Sequence, residues 1–194
     1  MELDLNLETI KTEMQMLYGK EFSPIVQESS KWHMWKTIIT NSTCVVCYKK
    51  SGTIFNEEYM IDAFPPLHEK CRCSIVKAGS IWAGTATVEG VFGADYTVKN
   101  RNKLPQNYIS KQEAKSKGWR SSFGNLHIVA PKATIGGDVH QNKENKLPQK
   151  VGRVWYEADV NYLGGRRNSH RLIYSNDGLI FITYDHYLTF YEIV

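Results

Sequence analysis

Several features that mark other classes of protein are missing from this chain of 194 residues. No apolar run approaches the roughly 18 residues that a membrane-spanning helix needs, so we expect no membrane span. The N-terminal stretch MELDLNLETI has neither a basic region nor an apolar core, and we expect no signal peptide in this chain. No internal repeat or low-complexity tract is visible. With 42% hydrophobic and 23% charged residues, the chain is typical of a folded globular protein.

Cysteine is absent after residue 73, so the C-terminal part must be held by an ordinary apolar core. Acidic residues are also scarce there. Residues 101–194 hold 14 Lys and Arg against 8 Asp and Glu, whereas residues 1–100 hold 10 against 12. This asymmetry indicates two modules, the second of which meets a polyanion. A solvated basic face is the alternative interpretation.

Apolar residues at helical spacing predict two helices near the N-terminus. The first is predicted over residues 5–18 and the second over residues 24–39, with Ser23 as N-cap and Pro24 at the first helical position. The residues that set this spacing are Leu7, Ile10, Met14 and Leu17 in the first helix and Phe22, Ile25, Trp32 and Trp35 in the second. We expect these apolar faces to form core or helix–helix contacts.

Potential metal ligands follow in the segments TCVVC and PPLHEKCRC. The candidates are Cys44, Cys47, His68, Cys71 and Cys73. A C-x2-C pair lets two thiolates reach one ion, and a second group of His and Cys completes a zinc tetrahedron. We favour a structural zinc bound by the first pair and two members of the second group, because a protein without a signal peptide begins in a reducing cytosol. Two disulfides are the alternative, since the number of cysteines is even.

The same segment resembles the C-terminal end of phage head-morphogenesis (Mu F-like) proteins. Those proteins carry a Cys pair, a short hairpin-like stretch and a Pro-Pro-x-His-x-x-Cys-x-Cys signature. The resemblance covers about residues 32–76 and depends on Trp35, Cys44, Cys47, Gly52, Pro65, Pro66, His68, Cys71, Arg72 and Cys73. The rest of such a capsid protein has no counterpart here, so a capsid role does not follow.

Periodicity weakens in the glycine-rich run KAGSIWAGTATVEGVFGAD. We therefore predict a small helical module with a Cys/His knuckle over residues 1–79, a connector over 80–102 and a second domain over 103–194. In that domain Ser110 and Glu113 form a capping box that predicts a short helix over 111–117. The alternating segments RVWYEADV, RLIYS, LIFIT and HYLTFYEIV predict an antiparallel sheet packed on the helix, which is an α+β fold.

Charged residues of this domain suit phosphodiester chemistry. Glu157 lies on a predicted strand, Arg167 and Arg171 flank a glycine-rich loop, and His186 follows a turn. Lys111 lies in the first turn of the short helix, where the helix dipole favours an anion. A carboxylate can remove a proton, an imidazole can donate one, and cations stabilise the transition state. The alternative is that each is an ordinary surface charge.

Residues 104–194 resemble the barnase-like, guanyl-specific microbial ribonucleases. The matching stretches run in register without insertion and include LPQNYISKQEAKSKGW, IGGD, KLP, GRVWYEADVNY, RNS, RLIYS and TYDHYLTFYEI. The resemblance implies a metal-independent endoribonuclease that cleaves single-stranded RNA 3′ to guanosine through a 2′,3′-cyclic phosphate. It also implies that Glu157 is the general base and His186 the general acid, and that Lys111, Arg167 and Arg171 contact the phosphate.

The resemblance further implies a set of substrate-binding residues. They are Gln141, Asn142, Lys143, Glu144, Tyr187 and Asp138. Glu144 would accept hydrogen bonds from guanine, and Asp138 would hold the basic site together. Lys143 stands where the family usually has an arginine, and Arg166 stands where it has an aromatic residue. His170 replaces an aspartate, and we expect this replacement to make the site more basic. The stretch GADYTVKNRN shows no convincing counterpart of the family's first helix.

A ribonuclease of this kind implies further partners besides RNA. We expect an acidic, barstar-like inhibitor that protects the producing cell, and phage or toxin-delivery proteins that carry the enzyme to a target-cell cytoplasm. The main alternative is a phage-structural or interaction module that binds RNA without cleaving it, although Glu157 and His186 would then be unnecessary. A zinc-finger nucleic-acid-binding protein is a second alternative, but residues 41–76 carry few basic residues: Lys49, Lys50, Lys70 and Arg72.

Overall fold

The computed structural model describes residues 4–19, 22 and 24–194. Its helices are α1 (Asp4–Tyr18), α2 (Val45–Lys50), α3 (Ala94–Arg101), α4 (Lys111–Ser116) and α5 (Leu126–Val129), with a 3-10 turn at Gly90–Phe92. Its strands are β1 (Val26–Thr37), β2 (Ile54–Phe55), β3 (Cys73–Ile81), β4 (Tyr108–Ile109), β5 (Thr134–His140), β6 (Trp155–Asp159), β7 (Arg171–Ser175), β8 (Ile180–Thr183) and β9 (Tyr191–Ile193). Across the described residues these strands form one sheet in the order β2-β1-β3-β9-β8-β7-β6-β5-β4.

The C-terminal part has the predicted α+β architecture. β5 to β9 pair antiparallel in succession, and the Asn176-Asp177-Gly178 turn connects β7 to β8. Gly178 adopts φ +95°, which a residue with a side chain rarely does. The capping box also forms, because the Ser110 hydroxyl accepts a hydrogen bond from the Glu113 N–H at 3.1 Å. The alternation and turn signals of the sequence therefore predicted this part of the fold.

The predicted helix over residues 24–39 is wrong, because the segment forms β1. This strand pairs antiparallel with both β2 and β3. Trp32, Met34 and Trp35 are all buried, so both faces of the strand are covered. A strand buried on both faces loses the alternation that would reveal it, and the spacing of its tryptophans imitates a helix. The helix over 5–18 is present as α1, whereas the proposed N-cap Ser23 lies outside the described residues.

The N-terminal strands extend the sheet of the C-terminal part. β3 pairs in parallel with β9, with Gly79 opposite Tyr191 and Ile81 opposite Ile193. Both faces are covered by shared cores. One core combines Ile10, Met14 and Phe22 with Leu172, Ile182 and Tyr191, and the other combines Trp32, Met34 and Ile54 with Trp155, Phe181 and Phe190. The helical character expected of residues 1–79 is thus not confirmed, since this part contributes three strands.

The glycine-rich stretch before residue 103 contains α3, which lies within GADYTVKNRN, where the sequence showed no convincing counterpart of the family's first helix. Buried Asp95 organises this stretch by accepting hydrogen bonds from Gly84 N at 2.7 Å, Ala86 N at 3.1 Å and Thr87 Oγ1 at 2.8 Å. Periodicity missed the helix because its start is fixed by side-chain hydrogen bonds rather than by an apolar face. No helix in the described part of the chain is long and apolar enough to cross a membrane.

Candidate active site and metal cluster

Glu157 of β6 lies at the centre of a group of polar side chains on the sheet. Its Oε1 accepts a hydrogen bond from Lys111 Nζ. Its Oε2 accepts one from the Tyr187 hydroxyl at 3.0 Å and lies 3.2 Å from Nδ1 of His140. The side chain is only 12% exposed. Three elements, namely α4, β5 and the turn after β8, thus converge on one carboxylate.

Opposing effects act on the pKa of Glu157. Burial raises this pKa, but hydrogen bonds from His140, Lys111 and Tyr187 and the charge of Lys111 outweigh burial and hold it well below its ordinary value. Burial and the Glu157 charge raise the pKa of Tyr187 far above its ordinary value, so the phenol stays a donor. Glu157 is therefore ionised at neutral pH and can accept a proton from a bound hydroxyl group.

His186 and Tyr187 occupy a strained turn between β8 and β9. Both have positive φ, at 56° and 68°, which is costly for residues with large side chains. Asp185 holds the turn by accepting hydrogen bonds from the N–H groups of Leu188 at 3.1 Å and Thr189 at 2.9 Å. This geometry presents both rings to a cavity of about 420 Å³.

Asp159 gathers the two arginines predicted to bind phosphate. Arg167 donates two hydrogen bonds to its carboxylate at 2.6 Å each, and Arg171 Nε lies 3.1 Å from Oδ1. The carboxylate is 1% exposed. Asp159 lies two residues after Glu157 on β6, so its carboxylate and the two arginines bound to it are on the face of the sheet that carries Glu157. Lys111, Arg167 and Arg171 are thus on the same side of the sheet as Glu157.

Asp138 acts on the site through Lys111. Its carboxylate accepts a hydrogen bond from the backbone N–H of Lys111 at 2.9 Å, where α4 begins. Register places Asp138 opposite Glu157 on the neighbouring strand. The contact fixes the start of α4, from which the Lys111 side chain reaches Glu157. Asp138 thus lies next to Glu157 and Lys111, and its supporting role stays a prediction.

The loop after β5 forms another wall of the cavity. Gln141, Asn142, Lys143 and Glu144 all line it. Asn142 is buried and holds the loop's shape, because its side chain donates to Leu147 O at 2.8 Å and accepts from Leu147 N at 3.1 Å. The loop is joined to the opposite wall by Lys146, whose Nζ donates to Tyr187 O at 2.8 Å.

His140 and Asp159 were not among the site residues predicted from the sequence. Strand alternation could have identified both, because residues two apart on a strand lie on the same face. His140 lies two residues after Asp138, and Asp159 lies two residues after Glu157. The expectation for His170 is also corrected. Burial, together with the Arg171 charge, lowers the pKa of His170 to about 4, so it adds no positive charge at neutral pH. Arg166 lies exposed on the surface.

The candidate metal ligands lie together beside α2. The Sγ atoms of Cys44 and Cys47 are 3.2 and 3.1 Å from Nε2 of His68, and Cys47 Sγ is 3.7 Å from Cys71 Sγ. Two sets of three ligand atoms each lie within 4.8 Å of one another: Cys44, Cys47 and His68, and Cys47, Cys71 and Cys73. The four cysteines are free thiols, not disulfides.

The chemistry of this cluster fits zinc. Thiolates and imidazole are the donors that structural zinc prefers. His68 Nδ1 lies 2.7 Å from the carbonyl oxygen of Glu69, which fixes the ring and leaves Nε2 facing the thiols. Cys47 belongs to both sets of ligand atoms and so links the two groups.

Sequence comparisons match the C-terminal part of the chain, and one of them also extends into the N-terminal part. Residues 93–194 match the sequence model of the ribonuclease family. A ribonuclease of Heyndrickxia coagulans is 52% identical over 107 residues, which cover 55% of this chain and 95% of that protein. A ribonuclease of Bacillus pumilus is 52% identical over 159 residues, covering 81% of this chain and 96% of that protein. One of Bacillus intermedius is 52% identical over 107 residues, covering 55% and 64%.

Proposed function

Since this chain belongs to the ribonuclease family, we propose that it cleaves single-stranded RNA 3′ to guanosine by a reaction that needs no metal ion. The observation that carries the proposal is the ionised Glu157, whose Tyr187 contact leads to a cavity that His186 also lines. A low pKa keeps the carboxylate ready to take a proton, and the neighbouring cations suit a phosphate.

Glu157 removes the proton from the 2′-hydroxyl group, whose oxygen attacks the adjacent phosphorus. His186 protonates the departing 5′-oxygen, and a 2′,3′-cyclic phosphate forms. Water then opens the cyclic phosphate with the two roles reversed. Lys111, Arg167 and Arg171 stabilise the charge that develops on the phosphoryl oxygens. Because the nucleophile is the 2′-hydroxyl, DNA is not a substrate.

Guanine recognition is assigned to the loop after β5. Gln141, Lys143 and Glu144 are exposed at the cavity, while the Asn142 side chain holds the loop in shape. The Glu144 carboxylate can accept from two guanine N–H groups, and Lys146 lies 3.2 Å from it. Lys143 provides a point charge in place of a planar guanidinium fork.

The zinc site is proposed to be structural. Cys44 and Cys47 with two of the other three candidates would form a closed tetrahedral site that joins α2 to residues 68–73. The ion would then act as a cross-link in this part of the fold. Metal analysis should find about one zinc per chain; a metal-free chain that fails to take up added zinc would contradict this assignment.

We assign the enzyme to a toxin system. Three considerations support this role: the Mu F-like Cys/His segment, the danger of an active ribonuclease to its producer, and the positive charge of residues 101–194. The expected partners are an acidic, barstar-like inhibitor and phage or toxin-delivery proteins, with the target-cell cytoplasm as the site of action. The division into residues 1–79, 80–102 and 103–194 remains part of this proposal. A pull-down in which such an inhibitor fails to bind would count against the immunity part.

The activity is tested with a short RNA that contains a single guanosine. The purified chain, in EDTA, should cut after that nucleotide and leave a cyclic phosphate. Matched RNA carrying 2′-deoxyguanosine should stay intact. His186→Ala should lose cleavage, whereas His33→Ala on β1 should retain it. Binding of the RNA without any cleavage would overturn the proposal and favour the non-cleaving interaction module.

A further inference from the structure

The N-terminal segment reaches the cavity proposed to bind guanine. Tyr48 of α2 lines that cavity together with the loop after β5 and with His186 and Tyr187. Tyr48 is 46% exposed and is therefore open to a ligand. Tyr48 lies outside residues 93–194, the part that matches the sequence model of the ribonuclease family.

The segment that follows α2 contacts one wall of the cavity closely. Ser51 donates a hydrogen bond to Leu188 O at 3.5 Å. Gly52 adopts φ +83°, and a Cβ atom there would lie 2.8 Å from Leu188 O and 2.9 Å from Tyr187 O. Such contacts are too short for any side chain, so the backbone after α2 packs directly on the turn that carries His186.

The same segment also supports the other wall. The N–H of Ile54 donates to Lys146 O at 2.7 Å, at the end of the loop after β5. Lys146 in turn donates to Tyr187 O. Residues 48–54 therefore contact both walls of the cavity, and the position of α2 is coupled to its shape.

The start of α2 is fixed by the Cys/His cluster. Cys44 is the N-cap residue, with its Sγ accepting from Cys47 N, and Cys47 lies in the helix one residue before Tyr48. An ion bound by Cys44, Cys47 and His68, with Cys71 or Cys73 as the fourth ligand, would hold the helix against residues 68–73.

We propose that Tyr48 is a nucleobase-contacting residue of the ribonuclease site, and that zinc at the Cys/His cluster holds it in place. The ligand class is a purine nucleotide, on whose base the Tyr48 ring stacks. This inference rests on the proposed function, because it assumes that the cavity binds the base. The N-terminal segment then takes part in substrate recognition rather than in delivery alone.

Binding of guanosine 3′-monophosphate to the zinc-loaded full chain, measured by calorimetry, tests the contact with Tyr48. Tyr48→Ala should weaken binding about tenfold, as loss of one stacked aromatic ring does. Tyr48→Phe should bind like the parent. Val45→Ala, an exposed position of the same helix, should also leave the affinity unchanged. Unchanged affinity in Tyr48→Ala would overturn the inference, and tighter binding would mean that Tyr48 obstructs the cavity.

The role of the cluster is tested with Cys44→Ser and the double variant Cys44→Ser, Tyr48→Ala. Cys44→Ser should lower the zinc content and weaken nucleotide binding, and the second substitution should add little, because the two act through one contact. Full affinity in a zinc-depleted Cys44→Ser would overturn the coupling. A parent chain that binds no guanosine 3′-monophosphate would instead contradict the proposed guanosine preference, so the two failures are distinguishable.

Discussion

Nδ1 of His140 lies 3.2 Å from Oε2 of Glu157, so the end of β5 supplies a direct neighbour to the proposed general base. The His140 ring also lies 5.3 Å, centroid to centroid, from that of Tyr187, the other neighbour of the same oxygen. His140 therefore links the carboxylate to the cavity. Its contact with Glu157 is one of the causes of the low pKa of that carboxylate.

Replacing His140 by Phe should shift the acid limb of the pH profile of kcat/KM to higher pH. Without the hydrogen bond from His140, the pKa of Glu157 rises toward its ordinary value, and more acid-side activity is lost. The measurement is kcat/KM for a guanosine-containing dinucleotide between pH 3 and 8. Val139→Ala, an exposed neighbour on β5, serves as control. An acid limb that does not move would contradict the role of His140.

Glu157→Gln should reduce kcat by at least about 10²-fold, because an amide cannot accept the proton of the 2′-hydroxyl. The side chain keeps its shape, so folding should be preserved. Single-turnover cleavage of the guanosine-containing RNA measures the loss. Glu113→Gln, an exposed acidic residue of α4, is the matched control. Retention of most activity in Glu157→Gln would refute its assignment as the base.

Because of His170, the free energy of unfolding should decrease as the pH is lowered through a defined range. Its pKa is lowered to about 4 in the folded protein, mainly by burial, whereas the unfolded histidine takes up a proton near pH 6.5. The folded state therefore loses stability as the pH falls from about 6.5 to about 4, by an amount on the order of 3 kcal/mol. Urea unfolding of the parent and of His170→Gln across this range isolates the effect.

The difference in free energy of unfolding between the parent and His170→Gln should shrink as the pH falls, because a glutamine side chain cannot titrate. The exposed His127 provides the control, since His127→Gln should leave the parent's pH dependence intact. A constant difference between parent and His170→Gln would mean that the folded protein also protonates His170 near pH 6.5.

Asp159→Asn should reduce the free energy of unfolding by about 3 kcal/mol, as breaking a buried ion pair does. Asp159 is 1% exposed and pairs with two arginines, which would keep their charges after losing this carboxylate. Urea unfolding at pH 7 measures the loss. Asp62→Asn, which breaks the exposed pair with Lys50, should leave stability unchanged. Equal behaviour of the two variants would contradict a stabilising role for Asp159.

The sequence predicted the elements whose signals are local. Strand alternation and the Asn176-Asp177-Gly178 turn define the C-terminal sheet, and Ser110 marks the start of α4. β1 was not predicted, because both of its faces are buried and its sequence therefore does not alternate. Its strand conformation depends on pairing with β2 and β3. α3 escaped because Asp95 organises its start through hydrogen bonds to residues outside the helix.

In the candidate site, too, some features could be predicted from local sequence and others depend on tertiary contacts. Residue types and the order of motifs identified Glu157, His186 and the arginines as candidates, but pairing across strands decides their environments. His140 meets Glu157 only because β5 and β6 are neighbours in register. Burial likewise makes His170 neutral, although its position between two arginines suggested added charge. Such effects depend on tertiary contacts that no single sequence window contains.

The parallel pairing of β3 with β9 makes the N-terminal segment more than a detachable leader. A single backbone cut between Ile81 and Gly93 would sever no strand of the sheet, and both shared cores would still join the two pieces. The fragments should therefore stay together as a split enzyme. If they were pulled apart, β9 would become an open edge strand, which invites pairing with other chains and aggregation.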